Sequence, residues 1–289
     1  SIVTDTCDNG IKGVPGKGAS HRVLLDELYP NIHGPIVPQD RHILSTGTSE
    51  NTVKATGTGR AYDYRSGRDP VIGGPDSTGH LTFNIDSISI DGSVSIESEG
   101  ELRITPRTAS TTIGIGGGSG TLNLNDTELA LLADGFSLIT IGDAAAGTGD
   151  VDIDSSTFTD SVHIVGGAIS VTELNATGNT VSLTARTGDI TDGGDTGTDV
   201  TADAAAFRAA TGIGATNALE TALMTVAFSN SDSGQVRISD TVGSLTIDDV
   251  DGLTSSTLAA GGTIGSTGAL SIDHSVTDSG SGLTTFTSG

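Results

Sequence analysis

Four aspartates crowd the stretch 188–199, GDITDGGDTGTD: Asp189, Asp192, Asp195 and Asp199. Carboxylates on tight glycine turns are hard oxygen donors, the ligand class that calcium takes. Gly193-Gly194-Asp195-Thr196-Gly197-Thr198-Asp199 is one residue longer than the Gly-Gly-x-Gly-x-Asp core of calcium-binding nonapeptide repeats. Gly117-Gly118-Ser119-Gly120-Thr121-Leu122 keeps the glycines but has Leu where the Asp belongs. Calcium is thus the one candidate ion, and those four aspartates are its candidate ligands. The competing reading is that they are solvated turn residues.

Two other acidic groupings invite a catalytic reading. Asp152 and Asp154 project from one side of a strand, and Asp248, Asp249 and Asp251 lie close in sequence. Glycoside hydrolysis needs two carboxyls at a set separation, one of them with a raised pKa. Among so many acids, such pairs arise by chance. Aromatic platforms for sugar stacking are nearly absent, at 3% of residues with no Trp. The expectation is therefore a chain that is not an enzyme. Pro15-Gly16-Lys17-Gly18 resembles part of a phosphate loop, but that motif would place Gly where Ile11 stands. The six histidines show no metal-ligand spacing, and His163 and His274 read as outward residues of strands.

The elements that must position these residues are short strands. Gly120–Ile141 holds two alternating runs, Leu122-Asn123-Leu124 and Leu138-Ile139-Thr140-Ile141, and alternation is the mark of a half-buried strand. The unit recurs at Val151-Asp152-Ile153, Val162-His163-Ile164, Val181-Ser182-Leu183, Val236-Arg237-Ile238, Leu245-Thr246-Ile247 and Leu270-Ser271-Ile272. Each is too short to bury a core alone; stacked, they share one. Gly149-Asp150-Val151, Gly188-Asp189-Ile190 and Gly234-Gln235-Val236 open with the same pattern, and each interval suits one or two coils of a β-solenoid. At roughly 20–25 residues per coil, residues 81–289 make about eight to ten coils. Stacked at ~4.8 Å, these form a rod on the order of 40–50 Å long. The Ala-rich segment 202–226 is ambiguous between helix and strand.

Composition divides the chain near residue 80. Six of 7 Pro, all three Tyr and all three Lys lie before it. Residues 1–80 carry 8 basic and 9 acidic side chains, leaving 5 of the 13 basic and 27 of the 36 acidic residues to the remainder. We expect residues 1–80 to be an extended, largely irregular Pro/Gly/Tyr-containing arm, with a short helical turn at 22–28, and residues 81–289 to be an acidic solenoid. Tyr62, Tyr64, Arg65 and Arg68 are the arm's candidate interface residues, suited to a neighbouring acidic body. A net charge of −23 repels nucleic acid and anionic membranes. No run reaches the ~18 apolar residues of a membrane span. The single Cys7 excludes a disulfide within the chain. The first residue is Ser and no finishing cap is evident, so the chain reads as a processed product or a piece of something longer.

The phrases TLNLNDTELALLADGFSLITIGD, NTVSLTARTGDITDGG and TGIGATNALETALMTVAFSNSDSGQVRISDTVGSLTIDDVDGL resemble repeats of giant secreted bacterial haemagglutinin-like adhesins. The likeness covers about residues 110–289 and is most specific at Gly212-Ile213-Gly214, Ala218–Ala222, Val236-Arg237-Ile238 and Val250-Asp251-Gly252. It implies export, a right-handed parallel β-helix and an extracellular or cell-surface role. The expected function is a structural module of a surface fibre, sheath or adhesin. Its expected partners are copies of itself (a homopolymer) and cell-surface glycans. A carbohydrate-binding or carbohydrate-cleaving β-helix and a calcium-dependent surface-layer protein are the alternatives.

Overall fold

The computed structural model describes residues 78–88, 95–194 and 196–289, together with the backbone of six short strands ahead of residue 78. From residue 81 the chain winds as an all-β, parallel β-solenoid of about 10 turns. The stacked strands and bridges fall into three columns of parallel pairings.

The first face stacks Ile113, Val151, Ile169, Ile190, Ile213, Val236, Gly262 and Thr284 in register. The second stacks Leu81, Leu102, Ile139, Val162, Val181, Ala205, Val226, Ile247 and Ile272. The third runs through Ser156, Leu174, Val200, Thr221, Asp240 and Ser266. Every pairing named here is parallel, as it must be when each coil repeats the direction of the last.

The strand units expected from alternation are all present, including Leu122–Leu124, Leu138–Ile141, Val236–Asp240, Leu245–Ile247 and Leu270–Ile272. Their inward residues form narrow apolar columns. One runs Phe83, Ile104, Ile141, Ile164, Leu183, Phe207, Phe228, all at most 2% exposed. Each such side chain contributes about 1.5–3 kcal/mol by leaving water. A coil holds only a few of them, so no coil is stable without its neighbours.

The ambiguous Ala-rich segment resolves as strand at Val200–Ala209 and Leu219–Ala222. Ala202, Ala205 and Ala209 face the main core, where pairing with both neighbouring coils overrides alanine's helical preference. A single helical turn, Asp126–Leu129, is capped by Asn125, which accepts from the backbone N–H of Thr127 and Glu128 while Glu128 answers to the Asn125 N–H. The signature Asn-x-x-Glu stands in the sequence, between the two alternating runs of Gly120–Ile141.

Ahead of residue 78 the described strands include His21–Leu24, parallel to Asn51–Lys54, which in turn is parallel to Leu81–Asn84. The backbone at 21–24 is thus strand rather than the helical turn expected over 22–28. The pairing with Asn51–Lys54 and the β-branched Val23 supply the reason. Tyr62, Tyr64, Arg65 and Arg68, proposed for the arm's interface, lie outside the described residues.

Candidate functional site

The regular winding on the second face changes after Asn230. Thr225–Asn230 is a continuous strand, but in the next coil its counterpart is split into Leu245–Ile247 and Ser255–Leu258. The intervening residues leave the wall as a hairpin, closed by mutual backbone bonds between Val250 and Leu253 (3.2 and 2.9 Å). Its tip is Asp251-Gly252, with φ of 46° and 76°. Asp-Gly is the pair that a two-residue turn with two positive φ angles favours. Among the described residues, Asp251 is the sole non-glycine with positive φ.

The hairpin folds back across earlier coils. Val250 and Leu253 pack on Ala204, Ala206 and Ala227, forming a small apolar cluster separate from the main core. Alanine at 206 and 227 leaves room on the outer wall for this cover. At the tip, Asp251 Oδ2 accepts from the Ser182 hydroxyl at 2.6 Å and from Arg208 Nη1 at 3.0 Å. Arg208 Nη2 also donates to the Asp251 carbonyl.

Further along the same outward column, Arg103, Thr140, His163 and Ser182 are successive partners. His163 Nε2 meets Thr184 Oγ1 at 3.0 Å. Burial lowers the His163 pKa, Asp251 opposes that shift, Arg208 reinforces it, and Glu101 opposes it. Glu101 takes bonds from Arg103 (2.6 Å) and Thr140 (2.8 Å) and lies 3.4 Å from His80. Burial works to raise its pKa, but the Arg103 and Thr140 bonds and the charges of Arg103 and His80 outweigh it and hold the carboxyl low.

At the hairpin's root stands a second polar group. Ser256 follows Phe228 in the inward column and is fully buried. Its oxygen accepts from the Phe228 N–H at 3.1 Å and meets His274 Nε2 at 2.8 Å. His274 Nδ1 meets Asp249 Oδ1 at 3.1 Å. The His274 side chain is 5% exposed, so the expectation of an outward residue is corrected. The ring turns inward because Ser256 puts a hydroxyl where every earlier coil has an apolar side chain. The order Ser, His, Asp is that of a hydrolytic relay. In this conformation the Ser256 oxygen is sealed in the wall, out of reach of any substrate carbonyl.

The four aspartates expected to bind calcium are only partly gathered. Asp192 and Asp199, with Glu220, bring one carboxylate oxygen each within 4.8 Å of one another. Asp199 is fully buried, and its Oδ2 accepts from the Glu220 N–H at 2.7 Å. Asp192 accepts from the Gly194 N–H at 2.7 Å and from the Asn217 amide. Asp189 sits at the other end of strand Ile190–Asp192 and is not part of this group. Asp195 lies outside the described residues. Glu220 comes from the next coil, so nothing local in the sequence marks it.

Asp152 and Asp154 do share one side of Val151–Thr157, and Asp152 accepts from the Ser119 N–H at 2.7 Å. A recess of about 480 Å³ lies between helix Asp126–Leu129 and this strand, floored by Leu129, Leu132, Ile139 and Phe158. No helix among the described residues is long and apolar enough to cross a membrane.

Comparison of the chain with protein-family models, with curated proteins and with solved structures finds no match.

Proposed function

We propose that this chain is a structural, non-enzymatic module of an extracellular bacterial fibre, sheath or adhesin, in which the solenoid serves as a stiff rod. The observation that carries this reading is the parallel ladder itself: apolar columns continue coil after coil along one axis. About 10 turns at ~4.8 Å give a rod on the order of 50 Å. A wall of this kind resists extension because its backbone bonds lie along the axis and many must yield together. The acidic surface keeps such rods soluble and apart along their sides.

The last described coil shows how rods would lengthen. Its strands Leu270–Ile272, Ser275–Asp278 and Thr284–Ser288 pair on one side only, with coils before them. Ile272, Leu283 and Phe286 are exposed there, Leu283 at 82%. A further β-coil laid on this end, from the same chain or a second copy, would bury them. Homopolymer formation and attachment to surface glycans extend this reading.

The test combines imaging and location. Electron microscopy of the purified chain should show slender particles that join end to end as concentration rises. Antibodies should label the surface of intact source cells. A compact, strictly monomeric particle by light scattering at every concentration, or labelling only after permeabilisation, would overturn it.

A further inference from the structure

We propose that Asp248, Asp249 and His274 form a site for a divalent transition metal, with zinc as the reference ion. Their ligand atoms, one imidazole nitrogen and two carboxylate oxygens, all lie within 4.8 Å of one another. Tetrahedral zinc, with bonds of about 2.0–2.2 Å, sets its ligand atoms ~3.3 Å apart. His274 Nδ1 and Asp249 Oδ1 are already 3.1 Å apart. Asp248 brings its oxygen within 4.8 Å of both, and Asp249, 60% exposed, has room to turn toward an ion between them. Three protein ligands leave one position for water or a partner group.

The observation that separates this group from an ordinary acidic patch is the imidazole. Its ring is held in the wall, with Nε2 fixed by Ser256 and Ser256 fixed in turn by the Phe228 N–H. Metal-binding histidines are characteristically oriented by a hydrogen bond from the ring nitrogen that does not bind. Without metal, Nδ1–H donates to Asp249 and Nε2 accepts from Ser256. With metal, the ring takes the other tautomer, Nδ1 binds the ion and Nε2–H donates to Ser256. The neutral ring loses no proton in this exchange.

The donor set also selects the ion. Imidazole suits zinc, copper, nickel and cobalt, whereas calcium prefers six to eight oxygens. Asp248 and Asp249 stand at the root of the hairpin and His274 belongs to the following coil. A bound ion would therefore clamp the hairpin to the next turn of the ladder.

The test uses the full chain, stripped with chelator. Zinc is added in calorimetric titration, and cobalt is used for its visible absorption. One site per chain is expected, lost in His274→Ala and Asp249→Asn and weakened about 10–100-fold in Ser256→Ala. Hydrogen exchange at 248–254 should slow when zinc is added to the wild type. Should His274→Ala fail to fold, Asp249→Asn and Ser256→Ala carry the test. Zinc binding that is undiminished in Asp249→Asn would overturn the proposal. So would a wild type that binds calcium at this site as tightly as zinc.

Discussion

The Ser182 hydroxyl donates to Asp251 Oδ2 at 2.6 Å across 69 residues of sequence. Ladder contacts join neighbouring coils, about 20 residues apart; this one reaches back over the two coils between, those of Ala206 and Ala227. Ser182 is nearly buried, whereas Asp251 is 43% exposed. Removing the carboxylate leaves a covered hydroxyl without its acceptor and Arg208 without its counter-charge. Solvent screening keeps the ion-pair part small, so Asp251→Ala should cost about 1–2 kcal/mol. Alanine at positive φ adds backbone strain that Asp251→Gly avoids. Hydrogen exchange should accelerate at 248–254 in both variants while the coil around Phe207 keeps its protection. Unchanged exchange in the hairpin would show that the tip contacts do not hold it.

Much of the ladder was readable because its signal is local. Val181-Ser182-Leu183 and Val236-Arg237-Ile238 announce their inward residues by alternation alone. The three glycine-led openings at Val151, Ile190 and Val236 prove to be one column sampled at every second coil. The coils between them begin at Ile169 and Ile213. Gly212-Ile213-Gly214 was noted as part of the family likeness but not as a strand unit, because a single bridging residue leaves no alternating run. The site was far less legible. Val250-Asp251-Gly252 was noted as a motif, but its docking partners Ser182 and Arg208 are set by the number of coils between them. His274 looked like any outward strand residue because nothing nearby shows that Ser256 faces inward beneath it.

Phe207 and Phe228 are adjacent in the inward column, fully buried and among the bulkiest core side chains described. Truncating either to alanine opens a cavity in a core too narrow to collapse around it. We expect a loss of about 3–5 kcal/mol, read as a lower urea midpoint. Met224, at 59% exposed, serves as the control. Met224→Ala should stay within about 0.5 kcal/mol of the wild type.

Gly116 and Gly178 both have positive φ, 62° and 84°, but for different reasons. The Gly116 carbonyl accepts from the Ser155 N–H at 3.2 Å, and a Cβ at 116 would fall 1.8 Å from the Ser155 carbonyl oxygen. A Cβ at Gly178 would meet nothing within 4 Å. Gly178→Ala should therefore cost only the backbone term, about 1–2 kcal/mol. Gly116→Ala adds a collision between two chain segments and should cost about 2–4 kcal/mol. Equal midpoints for the two variants would show that the close approach at Gly116 carries no energy.

Acid should act on this fold in two opposing directions. Burial depresses the His163 pKa below its ordinary 6.5, so the folded chain resists protonating it while the unfolded chain does not. That contribution to stability is complete above about 6.5 and is lost as pH falls below it. Glu101, held below its ordinary 4.5, likewise contributes above that value and loses its contribution as pH falls further. Asp240 has the opposite sign. Burial raises its pKa, against bonds from the Leu223 N–H, the Thr221 hydroxyl and the Val242 N–H. The folded chain takes up that proton first, so stability is gained as pH falls through the folded value and stops changing below the unfolded one. His163→Gln should therefore flatten the decline just below about 6.5, and Asp240→Asn should remove the offsetting gain and steepen the loss at lower pH. Urea midpoints followed from neutral to acid for the three proteins separate these effects. A His163→Gln profile that declines in step with the wild type would mean that the ring is not kept neutral by the wall around it.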